Sequence, residues 1–159
     1  MALELQYRGS EVALFGPDVA LAGEPGIDNP AVLAAGFVAG ALVKIGVSAL
    51  NPDGIALQLA DGAVDTNILG AIITEPGEFA SSIGPSASNR IAVARGMWTG
   101  NLYGSGYDTT VVYVVGQLLY CGTGAVIGRY TNVVNGNPVG LVTHVPTTTE
   151  PWLGIASLI

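Results

Sequence analysis

The chain has 159 residues, a length that suits one domain, and a formal net charge of −7. Charged residues make up only 11% of the sequence, against about 25% in soluble domains, and the five basic residues stand singly. Without a basic cluster to neutralise phosphates, nucleic acid is excluded as a partner. So little charge, with 50% hydrophobic residues, predicts a surface that neighbouring proteins cover, because obligate interfaces are poor in charge.

The first 30 residues predict an extended arm. Residues 3–7 alternate apolar and polar side chains, as a short strand does, and glycines and prolines then recur up to Pro30. Such punctuation prevents a long helix and offers little local core. We therefore divide the chain into an N-terminal arm, residues 1–30, and a β domain, residues 31–159. The arm residues expected at an interface are Leu3, Leu5 and Tyr7.

After residue 31, short apolar runs alternate with turn signals. Asp-Gly and Asn-Gly pairs supply the positive φ angles that tight turns require, most clearly at residues 135–138. The one helix expected is short, at residues 31–35, because Asn29 can cap it and Pro30 suits its first turn. This pattern predicts an all-β fold, a small barrel or sandwich. Predicted strands include residues 41–45, 55–59, 68–74, 91–98 and 129–134.

Residues 109–128 carry no formal charge, and a stretch of this length is long enough for a membrane-spanning helix. The glycines within it and the β-branched run at residues 111–115 instead favour a strand, a turn and a second strand. Residues 1–15 contain charged side chains and lack the apolar segment of a signal peptide. We therefore expect no membrane span and no membrane partner.

A weak internal repeat runs through the domain. Residues 40–43 resemble residues 116–119, and residues 69–72 resemble residues 139–142, with a third echo at residues 153–156. Each of these segments carries a glycine, which inside a strand often marks a bulge or a tight bend. The pattern predicts a single β domain made of two weakly repeated halves.

No motif indicates catalysis. The glycines of residues 122–128 have the wrong spacing for a dinucleotide-binding loop, so this run is interpreted as a hairpin. His144 is the single histidine, cannot build a site that needs several imidazoles, and is interpreted as solvated in a polar turn. Cys121 is the single cysteine and is interpreted as a small buried apolar residue in a reducing compartment. The sequence predicts no catalytic residue and no cofactor.

The acidic residues also lack a metal-binding pattern. Asp53, Asp61 and Asp65 lie close together, but their spacing does not match a calcium loop, and an aspartate beside a glycine is ordinary turn chemistry. We expect no metal ion. Paired catalytic carboxylates form in space rather than in sequence, so a hydrolase of unknown type stays open as the last-ranked alternative.

Two tryptophans, Trp98 and Trp152, suit either a core or an interface. Large aromatic residues are usually buried, yet tryptophan is also enriched among binding hot spots. In a chain with so little charge, we assign both to an interface.

The order of these segments carries a resemblance to a family. It rests on glycine and apolar placement over residues 36–159, in the segments 39–43, 67–72, 91–98, 116–120, 139–142 and 153–156. In this order the chain resembles the small decoration, or cement, proteins of tailed bacteriophage capsids. The resemblance implies a β-barrel or β-tulip-like domain on the outer shell, often trimeric, that clamps neighbouring major capsid subunits.

The expected function is therefore that of a non-enzymatic virion structural protein. Its expected partners are the major capsid protein and further copies of itself, and its expected location is the capsid surface after synthesis in the host cytoplasm. One alternative is another virion component, such as a tail-tube, head-fibre or spike protein. A second is a carbohydrate-binding β-sandwich that uses residues 98–101 and Tyr103.

Overall fold

The computed structural model describes residues 3–8, 12–15, 38–47, 55–73 and 91–159. In these residues the regular structure is almost entirely strand, with one short 3₁₀ turn at Gly124–Val126. The prediction of an all-β fold is confirmed. The strands are β1 (Leu3–Arg8), β2 (Val12–Phe15), β3 (Leu42–Val47), β4 (Ile55–Leu59), β5 (Gly70–Ile72), β6 (Ile91–Ala94), β7 (Trp98–Leu102), β8 (Leu118–Cys121), β9 (Tyr130–Thr131), β10 (Gly140–His144) and β11 (Leu153–Ser157).

The strands form two antiparallel sheets. Sheet A has the order β1-β7-β11-β10-β8-β9, and sheet B has the order β2-β6-β5-β3-β4. One of the two sheets curls into a half-barrel, as the expected barrel or sandwich requires. Consecutive strands such as β3 and β4, or β10 and β11, pair as hairpins, because antiparallel neighbours need only a short connection.

The first two strands lie at the outer edges of the two sheets. Strand β1 pairs with β7, from Leu3 opposite Leu102 to Arg8 opposite Trp98, and β2 pairs with β6. Within the predicted arm, residues 3–8 and 12–15 therefore add one strand to each sheet, antiparallel to the segment 91–102. The other arm residues and the helix predicted at residues 31–35 lie outside the described residues.

One hydrophobic core draws on both sheets. Sheet B contributes Leu42 and small side chains such as Ala71 and Ala94, whereas sheet A contributes large ones, among them Trp98 and Tyr130. Trp98 is 1% exposed. Its assignment to an interface is therefore corrected: the indole fills the core of its own chain, the usual place for a large aromatic side chain.

The segments that resemble each other in sequence share one pairing register. Strand β3 pairs with β5 through Leu42–Ala71 and Val43–Gly70, and β8 pairs with β10 through Leu118–Leu141 and Leu119–Gly140. Each of these strand pairs is also preceded by an equivalent backbone hydrogen bond, two residues before the first strand residue. The Gly40 amide donates to the Ile72 carbonyl at 2.6 Å, and the Gly116 amide donates to the Val142 carbonyl at 2.8 Å.

The same correspondence holds along whole sheets. The order β2-β6-β5-β3-β4 in sheet B matches β7-β11-β10-β8-β9 in sheet A, strand for strand and in chain order. Registers agree here as well, since Ala71 faces Ala94 in the first set and Leu141 faces Ala156 in the second. The described strands thus form two halves with the same topology, and β1 is an additional strand on sheet A.

Backbone hydrogen bonds join the two halves at the edge opposite to β1 and β2. The Leu42 amide donates to the Gly128 carbonyl at 2.7 Å, and the Gly128 amide donates to the Ala60 carbonyl at 2.9 Å. The Gly62 amide reaches the Gly122 carbonyl at 3.1 Å. The glycine-rich segment 122–128 connects β8 to β9 as the predicted hairpin, and it also fastens sheet A to sheet B.

Four predicted strands differ from those observed. Of the strand predicted at residues 68–74, only Gly70–Ile72 form a strand in the described residues. The run 91–98 divides into β6 and β7 around Gly96, whose φ of 79° ends the first strand. Of the strand predicted at residues 129–134, only Tyr130–Thr131 is paired. The strand predicted at residues 111–115 is wrong, because these residues form a loop with no strand partner.

Candidate interaction face

The loop at residues 109–117 is held in place by one buried tyrosine. The Tyr113 hydroxyl donates to the Asp108 carbonyl at 2.7 Å and lies 3.3 Å from the Tyr130 carbonyl. Its ring packs edge-on against Tyr107, with centroids 5.8 Å apart. Burial raises the pKa of the Tyr113 phenol, so this residue stays neutral and keeps its donor. Tyr113 is buried between Val112 and Val114, which are both exposed, and its contacts give the loop a fixed shape.

Asp108 fixes the start of this loop. Its carboxylate accepts hydrogen bonds from the Thr110 amide at 2.9 Å and the Thr110 hydroxyl at 2.6 Å, and it lies 3.4 Å from the Thr131 hydroxyl. A buried carboxylate requires such donors to offset the loss of water. These contacts form a turn of the kind that aspartate favours, and they make Asp108 a structural residue.

The segment that follows β9 lies beside the loop. The Asn132 side-chain amide donates to the Val112 carbonyl at 2.6 Å and to the Gln117 side-chain carbonyl at 3.3 Å. The same Gln117 oxygen accepts the Val114 amide at 3.2 Å. These contacts place the segment that follows β9 beside the loop. The loop and the residues after β9 therefore form one continuous surface.

This surface is apolar and exposed. Val112 is 85% exposed and Val134 is 72% exposed, and neither has a neighbour in sequence that carries a charge. No formal charge occurs in residues 109–128 or 130–143, the segments that build the surface. A contiguous apolar patch on a soluble protein marks an interaction site. We call it the valine face, formed by Val112, Val114, Val115, Leu118, Val133 and Val134.

A groove of about 350 Å³ adjoins the valine face. Val111 and Val112 line one part of it, and Val145 and Pro146 line another. Its lining residues include no charged side chain, so the groove suits an apolar side chain of a protein partner better than a charged ligand.

A cluster around His144 fixes the turn that carries Val145 and Pro146. The His144 ring stacks on Trp152 with centroids 5.7 Å apart, and its Nε2 lies 2.9 Å from a Glu150 carboxylate oxygen. Its Nδ1 lies 3.3 Å from the Trp152 carbonyl. The interpretation of His144 as a solvated turn residue is wrong, because it ends β10 and connects both ends of the β10–β11 turn.

The residues predicted to form an interface lie on or beside three neighbouring strands of sheet A, β1, β7 and β11. Backbone atoms of Leu3, Leu5 and Tyr7 pair with β7, and their side chains lie outside the part of the structure that is described. Trp152 is half-buried between His144 and Tyr103, and its ring centroid lies 6.1 Å from that of Tyr103. A carbohydrate-binding site would need exposed aromatic side chains, and Trp98, the tryptophan of the segment considered for such a site, is buried.

The aspartates at the start of the β4–β5 connection are turn residues. The Asp65 carboxylate accepts the Asp61 amide at 2.7 Å and pairs with the Lys44 ammonium at 2.6 Å. Hydrogen bonds from the Thr123 hydroxyl and the Ala63 amide lower the pKa of Asp61. Across the described ranges, no three histidine, cysteine or acidic side chains lie close enough to hold a metal ion.

Cys121 is buried in the core. Its thiol donates to the Ala60 carbonyl at 3.2 Å, and burial raises its pKa to about 12. A thiol in this state is protonated at neutral pH, and the thiolate is the form that reacts. The prediction of a buried, apolar cysteine is confirmed.

No family model, no curated protein and no solved structure matches this chain. In the residues that the structure describes, no helix has the length and apolar character needed to cross a membrane.

The valine face is the site that sequence reasoning missed. The absence of charge in this stretch is visible in the sequence, but a run of β-branched residues predicts a strand when each residue is considered alone. What decides the outcome is Tyr113, whose hydrogen bonds lie 5 and 17 residues away in the chain. The available signal was a charge-free stretch that is too rich in glycine for a membrane helix.

Proposed function

We propose that this chain is a non-enzymatic structural protein that works by assembling with other protein surfaces. The observation that carries the proposal is the valine face, an exposed apolar surface on a loop with a fixed shape. Fully burying a valine side chain contributes about 1.5 kcal/mol, so six aliphatic residues supply a substantial driving force for association. Because the loop is held by Tyr113 and Asn132, little conformational entropy is lost on binding.

The chemistry of this face favours a protein partner. An apolar surface without charge gives a nucleic acid or a soluble metabolite few groups to recognise, whereas the centre of a protein interface is depleted in charge. The low charge of the whole chain agrees with a protein whose surface is largely covered by neighbouring proteins when it functions.

The assembly in this proposal is taken from the resemblance to bacteriophage decoration proteins. In this proposal the chain binds the outer shell of a tailed-phage capsid, contacts the major capsid protein and further copies of itself, and stabilises contacts between shell subunits. Binding at many symmetry-related sites gives avidity beyond that of one contact. The all-β fold and the uncharged valine face support this role.

Co-sedimentation with capsids tests the proposal. Purified protein is mixed with shells that lack it, the shells are pelleted, and the bound protein is measured over a range of concentrations. We expect binding that saturates at a fixed ratio to shell subunits, together with shells that resist heat or chelators better than bare shells do.

The control is a shell already carrying its full complement of the protein, which should take up none. Absence of saturable binding would refute the capsid assignment. Rings or stacked filaments of the free protein would then favour the tail-tube alternative, since a subunit with a repeating head-to-tail contact forms open assemblies.

A further inference from the structure

The segment between β9 and β10 contains an asparagine followed by a glycine, Asn135 and Gly136. Asn135 is half-buried and Gly136 is exposed, so water reaches the pair. Gly136 has a φ of 62°, a conformation that favours glycine over residues with a side chain. An asparagine side chain can react with the backbone nitrogen that follows it, and a glycine there has no Cβ to obstruct the attack.

Both reacting groups of this pair are free. Among the described residues, the Gly136 amide has no hydrogen-bond acceptor and the Asn135 side chain has no hydrogen-bond partner. An amide that donates to a carbonyl must give up that bond before its nitrogen can attack. In the neighbouring Asp61–Gly62 pair, by contrast, the Gly62 amide donates to the Gly122 carbonyl at 3.1 Å.

The other asparagines in the described ranges lack this combination. Asn132 donates its side-chain amide to a backbone carbonyl at 2.6 Å and precedes a valine. Asn137 precedes a proline, whose nitrogen has no proton to lose. Asn101 is buried in β7, and Asn67 precedes a β-branched isoleucine that crowds the attack. Asn135 is therefore the one described asparagine with a free side chain and an unobstructed nitrogen after it.

The pair lies against the junction of the two halves. A Cβ added at Gly62 would lie 3.0 Å from the Asn135 Cβ, and one added at Gly136 would lie 3.2 Å from the Gly62 carbonyl oxygen. Gly62 in turn donates to Gly122, one of the hydrogen bonds that join sheet A to sheet B. Asn135 and Asp65 line the same cleft, of about 90 Å³. A change of charge or of backbone length at Asn135 therefore acts on the junction.

We propose that Asn135 is a self-modification site, which converts to aspartate and isoaspartate in the folded protein and thereby weakens the junction of the two halves. The Gly136 nitrogen gives its proton to hydroxide and attacks the Asn135 Cγ. The new C–N bond closes a succinimide ring, the Cγ–Nδ2 bond breaks, and ammonia leaves with a proton taken from water. Water then adds to either carbonyl carbon of the ring and opens it. An amide and water become a carboxylate and an ammonium ion, so no oxidant or reductant takes part.

The product changes the junction in two ways. Its carboxylate adds one negative charge to a chain of net charge −7, beside Asp65, whose carboxylate already pairs with Lys44. Isoaspartate also lengthens the main chain by one carbon, which shifts the backbone that lies against Gly62. Both effects weaken the contact between the halves, so the modified protein is less stable than the freshly made one.

Peptide mass spectrometry of the full chain, incubated in mildly alkaline buffer, tests the inference. We expect the peptide that contains Asn135 to gain about 1 Da with time, and isoaspartate to be identified in it by enzymatic methylation. The gain should be slower in mildly acidic buffer, because the Gly136 nitrogen must lose its proton. Asn67 and Asn132 of the same chain are internal controls and should stay unmodified over that time.

A urea-unfolded sample shows what the fold contributes. The rate at Asn135 in the folded protein should stay within about tenfold of the rate in the unfolded chain, because the fold leaves both reacting groups free. A folded-state rate slower than this, or one no faster than the rate at Asn67, would overturn the inference.

Asn135→Gln is the matched control for stability. Glutamine would have to close a larger ring, so this variant should show no mass gain on incubation. Its melting temperature should stay constant, whereas that of the parent should fall by about 3 °C as Asn135 converts. An equal fall in both proteins, or none in a fully converted parent, would refute the effect on the junction.

Discussion

Gly40 and Gly116 occupy equivalent places two residues before β3 and β8, and both have positive φ angles, of 91° and 82°. Residues other than glycine are strained in this region, since Cβ approaches the backbone carbonyl. At each site the glycine amide also donates to the partner strand. The glycines of the sequence repeat therefore set how each half enters its first common strand.

Gly116→Ala tests this conformational requirement without a packing effect. A Cβ at Gly116 would meet no atom within 4 Å, so the only cost is the backbone angle. We expect the free energy of unfolding to fall by about 1 kcal/mol, measured by urea denaturation. Gly104→Ala is the control, because that site is also open but its φ is not positive. Equal effects of the two substitutions would contradict the argument.

At the scale of elements, the shape of the valine face depends on the attachment of the loop 109–117. Tyr113→Phe keeps the ring and removes the hydroxyl that donates to the Asp108 carbonyl. Loss of one buried hydrogen bond should lower the free energy of unfolding by about 1 kcal/mol and speed amide hydrogen exchange in the loop.

Tyr107→Phe is its control. The Tyr107 ring packs against Tyr113 at 5.8 Å, but its hydroxyl makes no hydrogen bond to any residue described here. Exchange in the loop should stay at the parent rate. If both substitutions speed exchange alike, ring packing rather than the Tyr113 hydroxyl holds the loop.

The strands show what the sequence can predict. Runs of apolar residues bounded by turn signals located β3 and β4 within one or two residues, because local pattern and pairing agree there. The prediction failed at residues 111–115, where hydrogen bonds to Asp108 and Tyr130 hold an equally β-branched run away from any strand partner.

The candidate site was harder to predict than the strands. Absence of charge in residues 109–128 is visible in the sequence, but the exposure of Val112 beside a buried Tyr113 depends on distant contacts. The two tryptophans show the same limit of local reasoning. Residue type alone could not distinguish Trp98, in the core, from Trp152, at the surface beside His144.

At the scale of the molecule, the two halves share one core. Large buried side chains come mainly from the second half, while the first half contributes Leu42 and several alanines. Hydrogen bonds from Leu42 and Gly62 to the segment 122–128 cross between the halves. We therefore expect each half to need the other in order to bury its share of this core.

Separate expression of residues 1–95 and 96–159 tests this dependence. We expect neither fragment to give a cooperative thermal transition by circular dichroism, since each exposes half of the shared core. Mixing the fragments should restore part of the transition. A fragment that unfolds cooperatively by itself would show that the two halves are independent domains.

The pairing of β1 with β7 also sets the order of events during synthesis. Leu3 leaves the ribosome long before Leu102, its partner, has been made, and β7 must then pair with β11 near the end of the chain. Contacts so distant in sequence slow folding, and unpaired strands are open to aggregation while they wait. The nascent chain should therefore depend on chaperones until its last strand has been translated.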